Sequence, residues 1–198
     1  MRRTQNGDWR YYLPRAKFKR GYRGQSGGSP VQHIKDRVSI EQRPDAINTR
    51  KQPGHWETDY ILFSRYGQSV LVVQERSSRF IFVAVPPSRK AEPTAAQLHR
   101  WLAPLPAQLR RSLTQDNGTE FASHYKLRDD LGISTYFCNP HSPWQKGGIE
   151  NANGRLRRWL PRKTDTRKCS ERQFQAIPSP ATTHHESAWD SKRRMSYS

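Results

Sequence analysis

Residues 56–63 have the sequence WETDYILF, in which aromatic and branched side chains surround a single aspartate, Asp59. Two further apolar runs follow closely, QSVLVVQE at 68–75 and RFIFVAV at 79–85. Runs of this length and composition are typical of β-strands, and the short joints between them are typical of hairpins. The segment from 56 to 85 therefore predicts three consecutive strands that pair as a meander.

Beyond this meander, helical and extended patterns alternate. Three segments have the apolar spacing of helices: PTAAQLHRWLAPL (93–105), TEFASHYKLRDDLG (119–132, closed by Gly132) and IENANGRLRRWL (149–160). Two short segments predict strands: RSLTQD (111–116) and ISTYFC (133–138). The order predicts an α/β domain, with a mixed five-stranded sheet flanked by helices.

The apolar residues concentrate between 56 and 160, although only 33% of the 198 residues are hydrophobic. We therefore expect one core domain at 53–165, preceded by a basic arm and connector at 1–52. Within that connector, residues 37–54 are expected to contain a short helix. Residues 166–198 are expected to form a divergent, disordered tail.

The charge balance indicates a polyanionic partner. Lys and Arg number 35 against 17 Asp and Glu, which gives a net charge of +18. Nucleic acid is the first candidate partner and an anionic membrane surface the second. No stretch approaches the roughly 20 apolar residues of a membrane span, and the start of the chain does not resemble a signal peptide. We expect no membrane partner and a bacterial cytoplasmic, nucleoid-associated location.

Three carboxylates stand out along the chain. Asp59 lies in the first predicted strand, where burying a charge is costly unless it has a function. Asp116 follows the fourth strand, and Glu150 lies one turn into the last predicted helix. Taken singly, Asp116 could belong to a turn and Glu150 to a helix surface. As a set they favour a shared site, because the first and fourth strands are neighbours in this topology and a helix can pack across them.

Carboxylates gathered in one cleft would repel each other unless divalent cations neutralised them, and hard oxygen ligands favour Mg²⁺ or Mn²⁺. Two such ions about 3.5–4 Å apart serve phosphoryl transfer, so two bound ions are predicted. Zinc is not predicted, because Cys169 and the pair His184-His185 fit no zinc-site spacing. Glu57 is expected to point to the opposite sheet face from Asp59 and to stay outside the metal cluster.

The segments WETDYI, LTQDNGTEF and NPHSPWQKGGIENANGRLRRWLPRKTD resemble the signatures of insertion-sequence transposases, most closely those of the insertion-sequence-30 family. The resemblance extends from about Arg37 to Asp165, and the 33 residues between Asp116 and Glu150 match that family's spacing. It implies a ribonuclease-H-like integrase core that cleaves DNA at element ends with Mg²⁺ and joins the freed 3′-hydroxyl to target DNA. It also implies that Asp59, Asp116 and Glu150 are catalytic metal ligands. The expected partners are DNA, as transposon ends and target duplex, and a second copy of the chain, at least a dimer.

The last predicted helix and the loop before it form the expected DNA-binding surface. Helical spacing places Glu150, Asn153 and Arg157 on one face, where they would meet one DNA strand. Trp144 is expected either to stack on an unpaired base or to cover an edge of the core. The predicted DNA-binding residues are Lys146, Trp144, Asn153, Arg155, Arg157 and Arg158. A solvated cationic face without a specific role is the alternative.

The chain also departs from the family's pattern. We expect it to lack the helix-turn-helix module that recognises the inverted repeats, and to diverge after about Phe174, with a frame shift near Pro178 as a hypothesis. Three functions stay open: an active strand-transferase core, an inactive DNA-binding remnant, and a nuclease of the same fold that acts on RNA–DNA hybrids. Metal-dependent turnover separates the first from the second, and substrate preference separates the third.

Overall fold

A computed structural model describes residues 34–63, 67–140, 142–169 and 174. The predicted aromatic and basic arm before residue 34 lies outside the described residues. Most of the predicted tail lies outside them too. No helix in the described ranges is long and apolar enough to cross a membrane.

The described chain builds a single five-stranded sheet, as predicted. Its strands are β1 (His55–Leu62), β2 (Ser69–Glu75), β3 (Ile81–Ala84), β4 (Ser112–Gln115) and β5 (Ser134–Phe137). The spatial order is β3-β2-β1-β4-β5, with β1, β2 and β3 antiparallel and with β1, β4 and β5 parallel. The meander and the two crossovers expected from the sequence are both present.

Three α-helices cover the sheet: α1 (Ala91–Leu102), α2 (Tyr125–Leu131) and α3 (Gly147–Trp159). Helix α2 is shorter than predicted, because Thr119–Phe121 forms a separate 3₁₀ turn before it. Gly132 closes α2 in the left-handed conformation, with φ of 68°, which a residue without a Cβ adopts without strain. Helix α3 begins at Gly147, two residues earlier than predicted.

The two faces of the sheet bury separate apolar clusters. On one face, Trp56 and Tyr60 of β1 pack with Leu98 and Leu102 of α1. On the other face, Ile61 of β1 packs with side chains of β2 and with three apolar residues from the end of α3 and beyond it: Leu156, Leu160 and Phe174. Successive side chains of a strand point to opposite faces, so the odd-numbered residues of β1 face α3.

The connector before β1 packs against the core. Ile34, Ile40 and Ile47 are buried, and Ser39 forms an isolated parallel bridge with Phe137 of β5. In place of the single short helix that we expected, the connector has two 3₁₀ turns, Ile40–Gln42 and Asp45–Thr49. Pro44 accounts for the interruption, because a proline drives the residue before it out of the helical region.

Candidate active site

Two of the three predicted carboxylates meet at the carboxyl-terminal edge of the parallel strands. In the register of β1 with β4, Glu57 is paired with Thr114. Asp59 and Asp116 each lie two residues further along, so the register that pairs the strands also brings these carboxylates side by side. The Gly118 amide donates to Asp116 Oδ1 at 3.1 Å, which fixes the turn that leaves β4.

Lys146 links the two aspartates. Its Nζ lies 3.2 Å from Asp59 Oδ1 and 3.1 Å from Asp116 Oδ2, and it also donates to the Thr58 carbonyl at 3.4 Å. The Lys146 side chain is only 7% exposed, against 23% for Asp59 and 42% for Asp116. A single buried ammonium is therefore shared by both carboxylates.

The electrostatics of this cluster are coupled. Burial raises the pKa of Asp59 above its ordinary value, although the Lys146 ammonium acts in the opposite direction. Burial lowers the pKa of Lys146, but the charges of Asp59 and Asp116 outweigh it and leave that pKa raised. Lys146 is thus cationic at neutral pH, and the aspartates lose their neutralising charge if it is removed.

Helix α3 brings a fourth group to the cluster. Asn153 Nδ2 donates to Asp59 Oδ2 at 2.9 Å, and Arg157, one turn further along, donates to the Leu62 carbonyl and lies over the Phe63 ring. These contacts place Asn153 and Arg157 on a face of α3 that is turned toward strand β1.

Glu150 itself stands apart. It is exposed, and within the described ranges it has no hydrogen-bond or ion-pair partner. The same ranges contain no cluster of three or more acidic, histidine or cysteine side chains arranged to hold a metal ion. The structure thus brings together Asp59 and Asp116 and leaves Glu150 about one helical turn before Asn153.

The donor set nevertheless fits a hard cation at two of the three positions. Asp59 and Asp116 already accept one positive charge between them, and carboxylate oxygens are what Mg²⁺ and Mn²⁺ prefer. The ammonium of Lys146 takes the place in which such an ion would contact both carboxylates. A bound ion would have to displace it.

Our prediction that Glu57 points to the sheet face opposite Asp59 was wrong. Residues two apart on a strand share a face, and Glu57 lies on the same face as Asp59. It is 1% exposed and accepts a hydrogen bond from the Ile149 amide of α3 at 2.9 Å. Its other oxygen lies 2.9 Å from Arg76 Nε. Glu57 nonetheless does not join the aspartates, because its charge is already paired.

The turn after β4 is supported by contacts that no local sequence pattern indicates. Arg37 of the connector donates to Asn117 Oδ1 at 2.8 Å and to the Cys138 carbonyl at 3.0 Å. Asn117 in turn donates to the same carbonyl at 2.7 Å. These contacts tie the turn that carries Asp116 to the end of β5.

The six predicted DNA-binding residues divide into two groups. Trp144, Arg155 and Arg158 are exposed, and for Trp144 the exposed fraction reaches 72%. The other three have partners inside the protein: Lys146, Asn153 and Arg157. The exposed group is available for DNA as the chain stands, and the other group would have to exchange its present contacts.

This chain is similar to an integrase family model and to several transposases. Residues 49–143 match the family model described as "Integrase core domain". Over 144 residues the chain is 43% identical to the "Transposase for insertion sequence element IS1086" of Cupriavidus metallidurans, an alignment that covers 73% of this chain and 42% of that protein. It is 35% identical over 132 residues to the "Transposase InsI for insertion sequence element IS30A" of Escherichia coli, covering 67% and 34%. With the "Transposase for insertion sequence element IS4351" of Bacteroides fragilis it shares 29% over 144 residues, covering 73% and 44%. The chain therefore spans less than half the length of these relatives.

Proposed function

Since the chain belongs to the insertion-sequence-30 family of DDE transposases, we propose that its core cleaves DNA strands and transfers them in a reaction that depends on Mg²⁺ or Mn²⁺. The active residues in this proposal are Asp59, Asp116 and Glu150. The reaction class is polynucleotidyl transfer, with DNA as both the element ends and the target.

One observation carries the proposal: two aspartates from adjacent parallel strands share a single buried cation. Asp59 and Asp116 both lie within 3.2 Å of Lys146 Nζ. Bringing two carboxylates this close raises the energy of the folded chain unless a positive charge lies between them. A purely structural role does not explain why two aspartates lie this close together at an open edge of the sheet, where the Asp116 side chain is 42% exposed.

The protein side chains have separate roles in this proposal. Asp59 and Asp116 would hold the ion from the sheet, and Glu150 would complete the set from α3. When bound, the metal supplies Lewis-acid activation of the attacking oxygen and neutralises charge at the leaving oxygen. Asn153 orients Asp59 through its amide hydrogen bond. Lys146, once released from the aspartates, would be free to contact a DNA phosphate.

The proposed partners follow from the surface of α3 and from the reaction. Trp144 is exposed in the 3₁₀ turn before α3, and Arg155 and Arg158 are exposed along α3. They offer a ring for base stacking and two guanidinium groups for phosphates. Joining two element ends requires two active sites, so we propose that the active form is at least a dimer.

The test is strand nicking and joining on an end-labelled DNA duplex with Mn²⁺. Wild type is compared with Asp116→Asn, which keeps the side-chain size and removes the charge. Asp129→Asn is the matched control, because Asp129 is an exposed carboxylate of α2. We expect activity in wild type and in the control and its loss in Asp116→Asn. Equal activity in all three proteins would contradict the proposal.

A second candidate function is a DNA-binding remnant without turnover, and it is favoured by the exposed position of Glu150, whose side chain has no partner among the described residues. In that case DNA binding persists in wild type and in Asp116→Asn, and neither protein nicks DNA at any Mn²⁺ concentration. A Mn²⁺ titration followed by metal binding separates the two functions, because an active core binds the ion and the remnant does not.

A further inference from the structure

We propose that Glu57 is a positioning residue that sets the register of helix α3 on strand β1 and thereby places Glu150 relative to Asp59. The effect on the metal site and on catalysis rests on the proposed function. The contact between the strand and the helix does not. Glu57 lies outside the three carboxylates of the family's pattern, and its buried charge is paired with Arg76.

Two of the hydrogen bonds between β1 and α3 are accepted by carboxylates of the strand. The Ile149 amide donates to Glu57 Oε2 at 2.9 Å, and Asn153 Nδ2 donates to Asp59 Oδ2, also at 2.9 Å. Helix α3 has no side-chain cap of its own at its first residue. The Glu57 carboxylate therefore caps α3 from another element, and a negative charge at a helix amino terminus is favourable.

The spacing of these contacts is matched between the strand and the helix. Glu57 and Asp59 are two strand residues apart, a rise of about 6.7 Å. Ile149 and Asn153 are four helix residues apart, a rise of about 6 Å. The two contacts can therefore be made together only in one register. A slip of one residue rotates the helix by about 100° and would change the position of Glu150 relative to the aspartates.

A close approach at Gly148 supports this register. A Cβ built at Gly148 would lie 2.7 Å from Glu57 Oε2, whereas one built at Gly147 would meet nothing within 4 Å. The backbone of α3 thus comes so near the carboxylate that any side chain at 148 would displace the Glu57 carboxylate or the helix. The close approach of Glu57 therefore favours glycine at position 148 but not at position 147.

Arg76 holds the carboxylate in place. Its Nε lies 2.9 Å from Glu57 Oε1, and its Nη1 donates to the Ile47 carbonyl of the connector at 2.9 Å. Both side chains of the pair are 5% exposed or less. Arg76 thus contacts Glu57 but not the helix, which makes it the matched control for a loss of the buried ion pair alone.

The experiment compares Glu57→Ala with Arg76→Met and with Glu57→Gln. All three variants break the ion pair and lower the melting temperature, but only Glu57→Ala removes the acceptor for the Ile149 amide. Amide hydrogen exchange is measured for a peptide that spans 147–156, relative to a peptide from β2. We expect the relative exchange of α3 to rise about tenfold or more in Glu57→Ala and by less than about threefold in the other two.

Mn²⁺ affinity and strand transfer are the second readouts. In Glu57→Ala we expect both to fall about tenfold or more, with DNA affinity unchanged within about threefold, and Glu57→Gln is expected to recover most of the loss. Gly148→Ala is expected to loosen α3 in the same way, while Gly147→Ala is expected to behave as wild type.

Equal loosening of α3 in Glu57→Ala and Arg76→Met would overturn the positioning role, whatever the activity. Normal Mn²⁺ affinity in a Glu57→Ala protein whose α3 amides exchange faster would also overturn the positioning role. A wild-type chain with the expected exchange pattern and no strand transfer would support the contact between Glu57 and α3 and overturn the proposed function instead. The two proposals therefore fail separately.

Discussion

Replacing Lys146 with methionine tests how the aspartate pair is neutralised. Methionine keeps most of the apolar stem of lysine and removes the ammonium that lies 3.2 Å from Asp59 and 3.1 Å from Asp116. Without metal, the variant leaves two carboxylates facing each other with no cation between them. We expect it to be less stable than wild type, and we expect Mn²⁺ to restore much of the difference.

The magnitude follows from burial. Removing one partner of a buried ion pair costs about 3–5 kcal/mol, and the Lys146 and Asp59 side chains are 7% and 23% exposed. Asp116 is 42% exposed, so its pair with Lys146 adds at most about 1 kcal/mol. The variant no longer buries an ammonium, which offsets part of this loss. A net loss of roughly 2–3 kcal/mol corresponds to a melting temperature lower by roughly 4–12 °C.

The assay is thermal unfolding of wild type, Lys146→Met and the control Lys163→Met, whose side chain is exposed, each with and without Mn²⁺. Stabilisation by a ligand grows with the ratio of its concentration to its dissociation constant. At the proposed site the Lys146 ammonium would compete with the ion for the two aspartates, so Mn²⁺ is expected to raise the melting temperature of Lys146→Met more than that of wild type. Equal Mn²⁺ shifts in both proteins would refute the reasoning, and so would an unchanged melting temperature of metal-free Lys146→Met.

Three further outcomes are expected. Burial raises the pKa of Cys138 to about 11, so at pH 8 a thiol reagent should label half-buried Cys169 faster than Cys138, as measured by peptide mapping; equal rates in the native protein would contradict this. Burial lowers the pKa of His124 below its ordinary value of 6.5, so the unfolded chain binds the extra proton and stability is lost as the pH falls below that value. His124→Asn should make the unfolding free energy less dependent on pH between about 7 and 5, by up to about 1.4 kcal/mol per pH unit, and an unchanged slope would count against it. Arg155→Ala and Arg158→Ala should each weaken DNA binding without regard to sequence and reduce the slope of log affinity against log salt by about 1; a slope equal to that of wild type in both variants would place the DNA elsewhere.

The sheet could be predicted because its signals are local. The three runs between 56 and 85 have the length and composition of strands, and short joints leave an antiparallel meander as the simplest pairing. Gly132 marked the end of α2 because a left-handed residue after a helix is most often glycine. The connector was less predictable. Its two 3₁₀ turns are stabilised by distant contacts, such as the hydrogen bond from Arg43 to Thr114 Oγ1 at 3.0 Å.

Only part of the candidate site could be predicted from the sequence. Asp59 and Asp116 follow from strand order, since a parallel pairing of the first and fourth strands brings their ends together. The role of Lys146 did not follow, because no local pattern shows that its ammonium turns inward to two carboxylates. Glu57 was misplaced through an error in strand periodicity, and its partners Arg76 and Ile149 are distant in sequence.

Strand β1 serves the core and the site at the same time. Trp56 and Tyr60 point into the cluster under α1, while Glu57 and Asp59 point toward α3 and receive its amide hydrogen bonds. Inserting or deleting one residue at the start of β1 would exchange the two faces. The carboxylates would then enter an apolar core, and two aromatic rings would displace α3. The two-residue step from Glu57 to Asp59 is therefore held in place by the packing of the aromatic residues beside it, and the site cannot slip along this strand without unfolding the core.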